Sequence, residues 1–282
     1  MKQTDLGGKG MPNMQVEDVS LFYEISGHGA ETVAFLNGVA MSTERWAAQT
    51  PFFSENYRVL LHDFRGQGRS TLVSEGITFE MHARDMAALV DTLGIDRLHI
   101  VGVSYGAEVG MYFALMYPER VKSLTLGTAV SESDPFLKAM IESWIEAART
   151  YNGKLFFKVM APTVYSKSFY ATHKKWLDDY AELFGARVTR EWMDAFAELC
   201  SNFLTLDMTD KLSEIRVPAF VISAAEDILK PPSYGRIIHE KIKDSRFAVV
   251  QGAGHALFLE KADEFNHLVS DFVQSNSMQS EE

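Results

Sequence analysis

Three side chains that together could carry out nucleophilic chemistry are spread along this chain, each just past a strand-like run: Ser104, Asp227 and His255. A serine hydroxyl becomes a useful nucleophile only when a base removes its proton. An imidazole is a good base only when a carboxylate fixes its tautomer and balances the imidazolium. Glu226, Glu132 and Asp134 are rival acids. Asp227 is preferred because it follows the apolar run Pro218–Ser223 directly, so a parallel sheet would deliver it to the same edge as the other two.

The serine sits between glycines in Gly102-Val103-Ser104-Tyr105-Gly106, between a predicted buried strand over 98–103 and a helix over 105–117 that Pro118 stops. A chain that reverses this sharply strains the serine backbone and leaves room only for hydrogen at the flanking glycines, which is the pattern of a nucleophile elbow. His255 ends the small-residue loop Gln251-Gly252-Ala253-Gly254 after a predicted strand over 247–250. A second small-residue loop, Asn37-Gly38-Val39-Ala40-Met41, follows the apolar strand 32–36, and its backbone N–H groups are placed to face the crevice. Gly38, Ala40 and Met41 are therefore candidate lining residues. The glycines and arginines of His62–Ser70 imitate a phosphate cradle but lack the Lys-Ser/Thr ending, so this stretch reads as a turn pinned by Asp63 and Arg65.

Around these loops the sequence alternates strands and helices. An antiparallel pair over 14–16 and 19–26 is followed by strands at 32–36, 57–61, 98–103, 121–127, 218–223 and 247–250. Helices are expected over 44–53, 79–93 and 262–274. The fold class is thus α/β, with a mostly parallel central sheet of about eight strands and helices on both faces. Between 129 and 211 the strand rhythm stops and helical, aromatic sequence takes over, which marks a cap inserted into a core formed by 1–128 and 212–282. Most of its aromatics should pack internally. Trp144, Phe157, Met160 and Tyr165 lie near Pro135, Gly153 and Pro162, where helix ends would bring them over the serine.

Composition narrows the function classes. The chain has 282 residues, 46% of them hydrophobic, and a net charge of −11 with no basic stripe, so nucleic acid is excluded as a partner. Residues 1–10 hold no apolar leader and no run approaches the ~18 apolar residues of a membrane span, which makes the cytoplasm the default compartment. The lone Cys200 reads as inert packing inside a helix, and eight scattered histidines without ligand spacing suggest no metal and no cofactor. The polar residues 275–282 are expected to be disordered. A monomer or homodimer acting on a small molecule is expected.

Asn37-Gly38, Asp63-Phe64-Arg65-Gly66-Gln67-Gly68-Arg69-Ser70, the elbow, Ala224-Ala225-Glu226-Asp227 and Gly252-Ala253-Gly254-His255 together make the chain resemble the α/β-hydrolase superfamily over about residues 14–274. That resemblance implies a Ser104-Asp227-His255 triad, with the backbone N–H groups of Val39 and Tyr105 as the oxyanion hole. Asn37 stands where members commonly have histidine, which leaves open what holds its loop. The segments 36–42, 63–68 and 104–109 also look like a branch of bacterial esterases that includes macrolide-opening enzymes. The resulting expectation is a serine hydrolase that cleaves a carboxylic ester or lactone of a bulky, largely apolar, neutral or cationic substrate, such as a macrolide lactone, through an acyl-serine. The alternatives are an acyltransferase, a carbon-carbon bond hydrolase on the same triad, or a ligand-binding protein without turnover.

Overall fold

A computed structural model describes residues 13–277. The expected absence of a leader thus falls on residues outside the described ones, as does most of the expected disorder of the C-terminal tail. In chain order come β1 (Asn13–Val16), β2 (Val19–Ser26), β3 (Thr32–Leu36), α1 (Gln49–Ser54), β4 (Arg58–His62), α2 (Phe79–Thr92), β5 (Leu98–Val103), α3 (Tyr105–Met116) and β6 (Val121–Gly127). Then follow α4 (Pro135–Arg149), α5 (Gly153–Val164), α6 (Lys167–Arg187), α7 (Arg190–Leu204), β7 (Ala219–Ala224), α8 (Pro232–Lys241), β8 (Ser245–Val250), α9 (Leu257–Glu260) and α10 (Ala262–Ser277).

The eight strands form one sheet in the order β1-β2-β4-β3-β5-β6-β7-β8. The β1–β2 and β2–β4 pairs are antiparallel, and every pair from β4–β3 to β7–β8 is parallel. Every residue of β3, β5 and β7 is buried, as continuous apolar runs covered on both faces require. Apolar clusters flank the sheet. One joins it to α2 and α3, the other to α1 and α10 through Phe35, Trp46, Phe53, Phe265 and Phe272. Because β3, β5, β6, β7 and β8 run the same way, the loops at 37–41, 104, 128, 225–227 and 251–255 all leave one edge.

The four helices between β6 and β7 form because each start is capped. The side chains of Asp134, Asn152, Ser166 and Thr189 accept the amides of Leu137, Leu155, Phe169 and Trp192. Their apolar faces do not close on themselves alone. Phe156, Phe196 and Phe203 belong to the same cluster as Phe79 and Tyr105 of the sheet-packing helices.

Three expectations need correction. The helix expected over 44–53 is split into a 3₁₀ turn at Thr43–Trp46 and α1, because Pro51 lacks the N–H that a continuous helix would use there. Helix α8 was not anticipated, since only Gly235 and Ile238 of its ten residues are buried and the apolar period is too weak to register. Residues 275–277, expected to be disordered, complete α10, with the Asn276 side-chain amide donating back to the Phe272 carbonyl at 2.8 Å.

Candidate active site

The elbow after β5 is strained where the sequence required it. Ser104 has φ 51° and ψ −121°, a conformation that costs a non-glycine residue on the order of 1–3 kcal/mol. A Cβ on Gly102 would lie 2.3 Å from the Gly106 carbonyl oxygen, and one on Gly106 would lie 2.2 Å from that of Leu36. Only hydrogen fits at either position. The Ser104 amide is held by the Gly127 carbonyl at 2.9 Å, so β6 fixes the serine from the neighbouring strand.

Past β7, Asp227 accepts the amides of Leu229 and Lys230 on Oδ1 at 2.9 and 2.8 Å, leaving Oδ2 for His255. The His255 Nδ1–H donates to that oxygen at 2.7 Å, which presents Nε2 as a lone pair. Both Ser104 (7% exposed) and His255 (8%) line one cavity. The Ser104 hydroxyl is not hydrogen-bonded to the imidazole here. Such links are commonly long until substrate draws the groups together. The rival acids are engaged elsewhere: Asp134 caps α4 and accepts the Tyr234 hydroxyl at 2.7 Å, Glu132 is exposed, and Glu226 faces the Ser168 hydroxyl at 3.5 Å.

The loop after β3 is packed against the serine. A Cβ on Gly38 would sit 3.4 Å from the Ser104 Cβ. Its amide is taken by the Met41 sulfur at 3.1 Å, and its carbonyl receives the Gln67 side-chain amide at 3.0 Å. The amides of Val39 and Tyr105, by contrast, donate to no group among the described residues. Asn37 holds this loop in the absence of a histidine. Its Nδ2 donates to the His62 carbonyl and to Asp63, while its Oδ1 accepts the Trp46 indole N–H at 2.8 Å.

The turn at 62–70 is the base of that arrangement. Buried Asp63 accepts the Thr43 and Arg69 amides, and Arg65 makes a bidentate pair with Asp85, both bonds 2.7 Å. On the other side, Glu260 clamps the histidine loop to the insertion by accepting the amides of both Gly254 and Ser166.

A buried ion pair went unseen in the sequence. Lys230 Nζ lies 2.9 Å from Glu108 Oε2, both side chains being at most 1% exposed, and Glu108 Oε1 accepts the Val130 amide. Glu108 is one helical turn after Ser104 and Lys230 is three residues after Asp227, so the pair bolts the elbow helix to the acid loop. Burial pushes the carboxyl up and the ammonium down, and each charge opposes the other's shift. Nothing local in the sequence marks residues 122 positions apart as partners. Cys200 is free and buried, and burial pushes its thiol up, as inert packing requires.

The cavity encloses about 90 Å³. Gly38, Val39, Ala40, Met41, Trp144, Phe157, Met160 and Tyr165 all line it. Tyr105, the other expected oxyanion donor, is not among the lining residues: it is fully buried and its hydroxyl meets His82 and Asn202. Missed in the sequence were Arg45, Thr128, Tyr180, Phe184 and Phe258. Pockets for drug-sized ligands run to roughly 300–1,000 Å³, so a macrolide ring would need this partly open cavity to widen.

A strained serine on a strand-to-helix turn of a mostly parallel sheet, facing an Asp–His pair from later strand ends, defines an α/β hydrolase. The family model for the alpha/beta hydrolase fold matches residues 31–262, and the chain belongs to that family. It is similar to the 2-hydroxy-6-oxononadienedioate/2-hydroxy-6-oxononatrienedioate hydrolase 2 of Pseudomonas putida, 31% identical over 91% of this chain and 92% of that one. Among solved structures it resembles MGS-M2, an alpha/beta hydrolase enzyme from a Medee basin deep-sea metagenome library (31% identity, TM-score 0.90, 93% and 97% of the two chains). It also resembles the enol-lactonase of Burkholderia xenovorans LB400 (25% identity, TM-score 0.84, 93% and 100%). The narrower likeness to macrolide-opening esterases is not seen among these relatives.

Proposed function

We propose that this hydrolase cleaves a carboxylic ester or lactone of a small compound through an acyl-Ser104 intermediate. His255 Nε2 takes the Ser104 proton as the hydroxyl attacks the carbonyl carbon. The resulting oxyanion is held by the Val39 and Tyr105 amides. The imidazolium then gives its proton to the leaving oxygen, and water, activated by the same imidazole, releases the acid. Asp227 holds the imidazole tautomer throughout. Residues 129–211 act as a cap that limits the acyl group to a few carbons. The observation that carries this reading is the 2.7 Å His255–Asp227 bond in a wall shared with a strained serine whose two neighbouring amides are unpaired.

Turnover of short ethyl esters and of δ-valerolactone, followed by pH-stat and mass spectrometry, tests it. Wild-type protein should open the lactone to a hydroxy acid one water heavier and split each ester into its acid and ethanol, and Ser104→Ala should lose at least about 10⁴-fold. An unchanged rate in Ser104→Ala would refute it. Transfer to an added alcohol instead of water would mark an acyltransferase.

Carbon-carbon bond hydrolysis on the same residues is a second reading, supported by the name of the Pseudomonas putida relative. It is favoured if a vinylogous 1,5-diketone is cleaved while esters and lactones are not.

A further inference from the structure

We infer that Arg45 recognises a free carboxylate on the substrate, so that the compound cleaved carries an acid group besides the bond that is broken. This rests on the cavity around Ser104 being the substrate site. The net charge of −11 pointed toward a neutral or cationic ligand, but the local lining is opposite in character. Among the described residues no aspartate or glutamate lines the cavity, and Arg45 is its only fixed charge.

Arg45 is also uncompensated. It is half-buried, yet it forms no ion pair among the described residues, whereas nearby Arg65 pairs with Asp85 and Arg69 with Glu24. Its guanidinium stacks 4.8 Å from the centroid of the Tyr180 ring and donates to the Tyr180 hydroxyl, which is neutral and leaves most of the five N–H donors unused. Glu44, the preceding residue, is exposed and lines an outer groove that Arg45 and Arg187 also line, but it makes no ion pair with Arg45. A cation partly removed from water, without a counter-ion and in an apolar wall, is best satisfied by an anion from outside.

The neutral polar groups of the wall agree. The Trp144 indole N–H and the Thr128 hydroxyl are buried without a partner among the described residues. An indole N–H only donates, so a ligand atom that completes this wall would be an acceptor, as a carboxylate oxygen is. Tyr180 belongs to α6 and Arg45 to the turn after β3, so the guanidinium is held where core and insertion meet.

The test compares monoethyl succinate, glutarate and adipate with ethyl butyrate. Wild-type protein should prefer the best monoacid ester over the neutral one in kcat/KM. In Arg45→Gln that preference ratio should fall about 10- to 100-fold, mainly through KM, the range for losing a charged hydrogen bond. Arg45→Lys should recover part of it. Tyr180→Phe, which removes only the hydroxyl, should leave the ratio within about 3-fold if Arg45 acts on substrate and not as a strut. Binding of glutarate to Ser104→Ala by calorimetry reads the same site without turnover, and Arg45→Gln in that background should abolish it. A wild-type ratio at or below 1, a ratio unmoved in Arg45→Gln, or no glutarate binding overturns the inference even if esters are hydrolysed. Glutarate binding that depends on Arg45 without ester or lactone turnover sustains it and refutes the proposed reaction instead.

Discussion

The loops at the sheet edge and the helices inserted over them are built on different principles. At the edge, backbone sterics place the chemistry: Ser104 sits at positive φ, Gly102 and Gly106 have carbonyl oxygens where any side chain would go, and Asp227 is oriented by two amides. In the insertion, packing places the side chains. Phe156, Phe184, Trp192 and Phe196 pack ring against ring, stacked or edge-on, and the helix starts are set by single capping groups. The edge tolerates almost no substitution without loss of geometry, whereas a packed aromatic set accepts other apolar residues and changes shape. Reaction type should therefore be fixed by the first region and substrate choice by the second.

The largest expected effect tests how the edge is fastened. Glu108→Gln leaves the Lys230 ammonium buried without its counter-ion and should cost about 3–5 kcal/mol in urea denaturation, while Glu108→Gln combined with Lys230→Met should regain most of it. Full stability in the single variant would show that the bolt between elbow helix and acid loop does not matter. Next, Val39→Pro removes one unpaired amide and should lower kcat by about 10²–10³ with little change in KM. An equal loss in KM alone would move the oxyanion site elsewhere.

Acid should separate the regions too. His62 and His99 are buried within the sheet and His82 in α2 beside it, whereas His173, the histidine of the insertion, is exposed. Burial holds His62 down to about 4 from its usual 6.5, and neither ring nitrogen has a hydrogen-bond partner among the described residues. The unfolded chain therefore takes up the proton first. The stability from a neutral His62 is complete above pH 6.5 and lost as the pH falls toward 4. Between pH 7.5 and 4.5 the loss in urea-derived stability should be smaller in His62→Leu than in wild type by roughly 2 kcal/mol. The smallest effect belongs to the insertion. Phe157→Leu should cost about 1 kcal/mol of stability yet change the ranking of acyl chain lengths, measured across an ester series.

This contrast also explains what the sequence made legible. Ser104, Asp227 and His255 were readable because each follows an apolar strand, and the parallel order brings those strand ends to one edge. The glycines announced the elbow because only hydrogen fits there. Nearby Pro and Gly pointed to Trp144, Phe157, Met160 and Tyr165 as lying near helix ends. Pro135 and Gly153 do open α4 and α5, but Pro162 lies inside α5, and Trp144, Phe157 and Met160 reach the cavity from within their helices. Arg45 was not legible, since a lone arginine in a 3₁₀ turn looks like any surface cation until the fold shows it lining the cavity without an ion pair among the described residues. Glu108 and Lys230 were hidden because pairing across 122 positions leaves no local pattern. Asn37 appeared as a departure from the family, and only its bonds to His62, Asp63 and Trp46 show how the loop is held.

The central claim is that Ser104 is a nucleophile activated by His255 and Asp227. Peptide mapping after reaction with a fluorophosphonate tests it most directly. The account predicts one adduct, on Ser104, formed at least about 10³-fold more slowly in His255→Ala. No adduct, an adduct on another residue, or an undiminished rate in His255→Ala would contradict it.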